Sequence, residues 1–194
     1  MSKQHRAFFN QLAPVWQSNE EPERLLPLLR EFGVQPSDYI LDMGAGAGCI
    51  SKWLITLCSQ GRVVAADVSD KMLAQARLNL SNNFTDLICT DACDLGIKAD
   101  FFDKIICYSV FPHINRPLRA LHEFWRILKP SGKLLIFHNC CSRHLNQYHS
   151  QKKSIVSFDK LPKVEQLILM LKENGFEEVH GHEAPNLYWV EAVK

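Results

Sequence analysis

Between Tyr39 and Gly48 the chain reads Tyr-Ile-Leu-Asp-Met-Gly-Ala-Gly-Ala-Gly. A short apolar run ends in an acid, Asp42, and glycines follow at alternate positions, Gly44, Gly46 and Gly48. No other stretch constrains the fold as much. The apolar run predicts a buried strand. The glycines predict a loop that takes up positive φ or approaches a ligand closely, since no Cβ stands in the way. Residues Cys49 to Cys58 can form a helix starting at the loop. Its free N–H groups and positive dipole end would face a bound anionic group.

Glycine-rich loops of this kind bind several ligand classes, and the spacing separates them. A dinucleotide fingerprint has glycine at the first, third and sixth positions; counted from Gly44, Cys49 stands where the last glycine would be. No Gly-Lys-Ser/Thr follows, so the loop is not a phosphate-cradling P-loop. The pattern Asp-x-Gly-x-Gly-x-Gly resembles the first motif of the class I S-adenosylmethionine-dependent methyltransferases.

Later segments resemble that family in order. Arg62 to Asp67 reads as a second strand ending in an acid, and Ser69 can cap the helix that starts near Asp70. Asp86 to Thr90 reads as a third strand leading into Asp91-Ala92, and Phe101 to Ser109 as a fourth. Leu118 to Leu128, Lys129-Pro130-Ser131-Gly132 and Lys133 to Phe137 match the family's helix, tight turn and fifth strand, with Ser131 where the family usually has glycine. The resemblance implies S-adenosylmethionine as cofactor. By it, Asp42 and the Gly44–Gly48 loop hold the methionyl end. Asp67, with Val68 beside it, accepts both ribose hydroxyls; Met72 lies against adenine, and Asp91 and Ala92 read its edge. Tyr108 and Ser109 lead to the methyl-transfer site.

The alternation of strand and helix from Asp38 to Phe137 predicts a doubly wound α/β sheet, Rossmann-like and seven-stranded, mostly parallel. Phe176 to His182 and Leu187 to Val193 would form an antiparallel C-terminal hairpin after a helix over Lys163 to Asn174. The expected organisation is one domain over 1–194. It comprises an N-terminal helical lid (1–36), a cofactor-binding core (37–139), a helical insert (140–173) and the terminal hairpin (174–194).

Three regions are expected around the transferred methyl. The first is Phe8 to Trp16, which resembles the opening segment of quinone-methylase-type enzymes that folds over the cofactor; Phe9 and Trp16 are its candidate substrate contacts. The second is the loop after the fourth strand, where His113 is a candidate general base. The third is the polar run His138 to His149. Ser142 reads as its N-cap, and Asn146 and His149 share one helical face while His144 and Tyr148 share another. His138 and His149 are candidate catalytic groups, and Arg143 and Asn146 candidate substrate contacts. His138, His144 and His149, joined by Cys140 or Cys141, could also ligate a divalent metal, although the spacing matches no known finger or zincin.

Composition narrows the function. A net charge of +1 and no run of lysine and arginine argue against nucleic acid or an acidic membrane as partner. Met1 to Arg6 is polar with no apolar stretch after it, and the seven cysteines form no C-x-x-C pair. Both predict a cytoplasmic chain with free thiols. The expected activity is methyl transfer from S-adenosylmethionine to a small molecule by in-line displacement. The alternative is a non-catalytic S-adenosylmethionine- or metal-binding sensor that uses the histidine-rich insert. Neither the acceptor atom nor the oligomeric state can be read from these motifs.

Overall fold

A computed structural model describes residues 3–16, 22–80 and 85–194. Seven strands form one sheet: β1 (Tyr39–Met43), β2 (Arg62–Asp67), β3 (Thr85–Cys89), β4 (Phe102–Tyr108), β5 (Leu128–His138), β6 (Glu177–Ala184) and β7 (Leu187–Val193). Their spatial order is β3-β2-β1-β4-β5-β7-β6. The pairs β1–β2, β2–β3, β1–β4 and β4–β5 are parallel, and β7 is antiparallel to both β5 and β6. The order reverses beside β1, which places the switch point at the glycine loop.

Successive strand residues face opposite sides of a sheet, and both sides of this one are covered. Leu41, Val64, Ile105, Leu134 and Ile136 join one core with Leu121 and Phe124 of α5 (Pro117–Ile127) and Leu167 and Leu171 of α7 (Val164–Glu173). Their neighbours Ile40, Val63, Ile106, Leu135 and Phe137 join the other, with Leu25 and Leu29 of α2 (Pro22–Glu31) and Leu54 of α3 (Ser51–Leu57). This double burial explains why the strands read as continuous apolar runs rather than alternating ones.

Three boundaries differ from expectation. The helix after the glycine loop begins at Ser51, not Cys49, following a loop in which Gly44, Gly46 and Gly48 take positive φ, 85° at Gly48. Only seven residues remain helical, and Ile50 supplies no side-chain cap. The dipole expected to face an anion therefore starts further from the loop and is short. The turn expected at Lys129–Gly132 is absorbed into β5 as an irregularity. Phe102 pairs with Leu128, the register shifts, and pairing resumes at Lys104–Lys133, with Ser131 at φ 63°. Ser142 is the first residue of α6 (Ser142–Ser150) rather than its cap. The cap comes from β6: Ser142 donates its backbone N–H and its hydroxyl to the Glu183 carboxylate at 2.7 and 3.1 Å.

Two N-terminal elements complete the fold. α1 (Lys3–Leu12) ends where Pro14 enters a short 3-10 turn, Ala13–Val15. α4 (Asp70–Asn79) is capped as expected, Met72 donating its N–H to Ser69 Oγ at 3.0 Å. Among the described residues no helix is long and apolar enough to cross a membrane.

Candidate active site

The tips of β1 and β2 are tied together through one carboxylate. Asp67 accepts from the Gly46 N–H at 2.9 Å and from the Ser69 N–H at 2.8 Å. One acid thus anchors the glycine loop and the start of α4. Burial raises its pKa, against the lowering effect of those amides and of the nearby His113.

The glycines of the loop have different reasons to be glycine. A Cβ on Gly44, at φ 80°, would lie 2.2 Å from Val110 Cγ2, so packing against the segment after β4 excludes it. Gly46, at φ 54°, has nothing within 4 Å of where its Cβ would be. Its backbone borders open space, as a loop that admits a ligand requires.

Asp42, in β1, is 1% exposed. Its Oδ2 accepts from the Ser51 hydroxyl at 2.5 Å, while its Oδ1 is buried with no partner among the described residues. Burial, with a smaller contribution from the charge of Asp67, pushes its pKa up to about 7 against the Ser51 hydrogen bond. An orphaned buried carboxylate oxygen calls for a donor, and a cationic one restores its ionised form best.

At the next tips, Asp91 accepts from the Cys93 N–H at 2.9 Å, and Ala92 is fully buried. Val68 and Met72 are buried beside Asp67 in sequence. Tyr108 is buried against Phe137, ring centroids 4.5 Å apart. Ser109 follows it at φ 54°, exposed, and donates its N–H to the Phe137 carbonyl at 3.0 Å. A non-glycine residue held in the left-handed region costs on the order of 1–3 kcal/mol and clusters at functional sites.

α1 joins the start of α4 to the segment around Asp159. On one side Ser69 donates its hydroxyl to Asn10 Oδ1 at 2.6 Å, and Asn10 and Arg6 both donate to Asp70 Oδ1, at 3.1 and 3.0 Å. On the other, His5 Nε2 lies 2.9 Å from Asp159 Oδ1. His113 Nδ1 meets the same carboxylate at 2.6 Å. Burial alone would raise the Asp159 pKa, but the hydrogen bonds from His113 and His5 outweigh it and the net shift is downward. The edge of Phe9 packs on His113 at 5.1 Å between centroids.

The expected insert residues divide by face. His149, 5% exposed, donates from Nδ1 to the Asp159 carbonyl at 3.2 Å, and burial lowers its pKa. Asn146 donates to the Leu161 carbonyl at 2.9 Å and accepts from the Leu161 N–H at 2.8 Å. The shared face of Asn146 and His149 therefore clamps residues 159–161. Asn146, expected as a substrate contact, has both ends of its amide on the one residue Leu161, which braces that segment. Arg143 and Tyr148 are exposed, and His144, also exposed, lies 3.3 Å from the Pro185 carbonyl. Trp16 is 42% exposed.

His138 sits 2% exposed at the end of β5, its ring edge-on to Tyr188 at 5.7 Å. Burial, aided by His113 and His149, pulls its pKa down to about 3. It is a neutral ring at ordinary pH and a weak base, which counts against it as the principal proton acceptor. The metal set expected from His138, His144, His149 and the adjacent cysteines is not assembled. Among the described residues, the group with ligand atoms close enough for a metal is His5, His113 and Asp159. His5, Asn10 and Asp159 were missed in the sequence, since residues so far apart carry no local signal of their meeting.

A cavity of about 710 Å³ lies elsewhere, lined by Arg77, Leu80, Thr85, Asp86 and Phe102 among others. No residue of the glycine loop lines it, and neither does Asp67.

Comparison with known proteins bears on the family and the fold. Residues 41–136 match the sequence model of the methyltransferase domain family. A ubiquinone/menaquinone biosynthesis C-methyltransferase of Vibrio parahaemolyticus is 30% identical over 141 residues, covering 70% of this chain and 54% of that protein. This chain belongs to the class I S-adenosylmethionine-dependent methyltransferases. It spans about half the length of the curated relatives it matches.

Solved methyltransferases share the fold. An S-adenosylmethionine-dependent methyltransferase from Aquifex aeolicus superposes with a TM-score of 0.73 at 22% identity, covering 97% of each chain. The phosphoethanolamine N-methyltransferase 2 of Haemonchus contortus, in complex with S-adenosylmethionine, gives 0.75 at 20% identity, covering 96% of this chain and 56% of that one. In this chain the residues fit the family's cofactor. Asp67 is fixed at a strand tip, Gly46 borders open space, and Asp42 keeps a buried oxygen with no donor among the described residues.

Proposed function

We propose that this chain moves the methyl group of S-adenosylmethionine to a small-molecule acceptor. The observation that carries the reading is the Asp67 carboxylate, held by the Gly46 and Ser69 amides beside the open Gly46 backbone. S-adenosylmethionine supplies a methyl already activated on a sulfonium sulfur. The protein's task is alignment, exclusion of water and removal of a proton where the acceptor has one.

Asp67 takes the ribose hydroxyls on the lone pairs its amides leave, with Val68 and Met72 lining the adenosine. Asp91 and Ala92 border adenine. Asp42 Oδ1 faces the methionyl ammonium, and Gly44, Gly46 and Gly48 allow the backbone close to the methionyl chain. Tyr108 and Ser109 wall the side where the acceptor approaches. α1, tied to Ser69 and Asp159, acts with the 3-10 turn after it as the lid; Phe9 comes from the helix and Trp16 from the end of the turn.

His113 is the proton acceptor of choice among the three histidines. Asp159 is a carboxylate and only accepts, so a neutral His113 carries its proton on Nδ1 and presents the Nε2 lone pair. His149 and Asp159 position it, and His138 contributes a neutral, dry wall. Arg143, exposed at the start of α6, is placed to meet an anionic acceptor. The relatives named for ubiquinone and menaquinone biosynthesis make a quinol-type ring the first acceptor to assay. Free thiols at all seven cysteines support a reducing, cytoplasmic setting.

Calorimetry with S-adenosylhomocysteine tests the reading. Wild type binds one equivalent, and Asp67→Ala binds far more weakly. Equal binding by both would remove Asp67 from the site.

A further inference from the structure

The cluster of His5, His113 and Asp159 is not needed to bind an adenosyl ligand, yet it is built with care. Its residues come from α1, from the turn after β4 and from the segment after the 3-10 turn Ile155–Phe158. Two imidazole nitrogens and a carboxylate oxygen all lie within 4.8 Å of one another. His5 and Asp159 are 5% and 8% exposed, so bulk water does not compete strongly for the donors. We propose that His5 Nε2, His113 Nδ1 and Asp159 form a binding site for a divalent transition metal of the zinc class.

The donor chemistry points to that class. Imidazole with one carboxylate suits zinc and its first-row neighbours, whereas magnesium and calcium take sets of oxygen ligands. No thiolate enters the group. A tetrahedral ion would hold these three donors and leave one position open, as in zinc sites built on two histidines and a carboxylate.

The support around the ligands is also present. Metal sites depend on outer hydrogen bonds that fix their ligands. Asp159 is fixed at both backbone ends: its N–H donates to the Val156 carbonyl at 3.1 Å, and its carbonyl accepts from His149 at 3.2 Å. Phe9 packs edge-on to His113 at 5.1 Å. These contacts hold the carboxylate and the ring in place whether or not an ion is bound.

Binding an ion replaces both His–Asp159 hydrogen bonds with metal bonds. His113 then serves as a ligand through Nδ1, and α1 is pinned to the core by coordination. Coordination through Nδ1 leaves the ring proton on Nε2, so the ion-bound form gives up His113 as proton acceptor. The binding test itself requires no adenosyl ligand and is read separately from methyl transfer.

The experiment is titration of chelator-treated protein with zinc by calorimetry, followed by the absorption spectrum of the cobalt(II) form. Wild type is expected to bind one equivalent. His5→Ala and Asp159→Asn should each lose at least about tenfold in affinity, since even an outer-shell change costs that much. The double variant Cys140→Ser, Cys141→Ser should bind like wild type, and the cobalt spectrum should show no thiolate charge-transfer band. Thermal melts check that His5→Ala stays folded, alanine being the best helix former for a position inside α1. Failure of wild type to take up one equivalent overturns the site. So does binding that survives in His5→Ala but is lost in the cysteine double variant.

Discussion

Asp67 Oδ2 accepts from the Gly46 backbone N–H at 2.9 Å, which makes the acid at the tip of β2 a structural part of the glycine loop after β1. The same carboxylate holds Ser69 N–H at 2.8 Å. Replacing it should therefore affect both binding and the loop. Asp67→Asn is expected to weaken S-adenosylhomocysteine by at least about tenfold, because a hydrogen bond to a charged acceptor contributes roughly 1.5–3 kcal/mol. It should also lower the melting temperature of the unliganded protein. Calorimetry and a thermal melt on the same preparation check the two effects.

Gly44 and Gly46 should separate packing from ligand access. Gly44→Ala meets Val110 Cγ2 at 2.2 Å and is strained at φ 80°. Overpacking and left-handed strain together cost about 3 kcal/mol. Gly46→Ala meets no protein atom within 4 Å and carries only the strain of φ 54°, roughly 1–2 kcal/mol. Urea titration should rank Gly44→Ala well below Gly46→Ala in stability. Gly46→Ala should nonetheless fail to bind S-adenosylhomocysteine, and normal binding by it would show that the open side of the loop faces no ligand.

Asp42 predicts an unusual pH dependence. Its pKa rises from 3.8 in the unfolded chain to about 7 in the fold, chiefly through burial. Between those values the native state holds a proton that the unfolded state has released, so stability falls as pH rises through the window. Asp42→Asn lacks this loss. It should be more stable than wild type above pH ~7 by on the order of a few kcal/mol, with the advantage fading towards pH ~4. Wild-type affinity for S-adenosylhomocysteine should increase as Asp42 ionises, and the variant's should stay low and flat. Denaturation midpoints and calorimetry across pH would read both.

His138 works in the opposite sense. Burial drops its pKa from 6.5 to about 3. On acidification the unfolded chain takes up a proton that the native ring refuses, so stability is lost as pH falls through that window. His138→Leu removes this contribution. Between pH ~6.5 and ~5 wild type should lose roughly 1–2 kcal/mol more than the variant. Parallel urea curves for the two proteins over this range would disprove the buried neutral ring.

Much of the core was readable because its signals are local. Tyr39–Met43, Arg62–Asp67 and Leu187–Val193 stand as strands where apolar runs end in acids or turns, and Ser69 caps α4 as its position before the helix implied. Other features depended on distant partners. α6 begins at Ser142 because Glu183 reaches across from β6, and nothing near Ser142 announces that. The helix after the loop starts only at Ser51, past a loop in which Gly44, Gly46 and Gly48 each take positive φ.

The candidate site divides the same way. Asp42, Asp67 and the glycines were recognisable because strand, acid and loop are consecutive in the chain, and a parallel sheet must bring such tips side by side. Asn146 and His149 were correctly expected on one helical face, since that follows from the turn of a helix. What the face meets was decided by folding, and it meets residues 159–161. The cluster of His5, His113 and Asp159 belongs wholly to the tertiary structure. Its members lie 46 and 154 positions from Asp159, and only docking of α1 against the far segment makes one carboxylate their common partner.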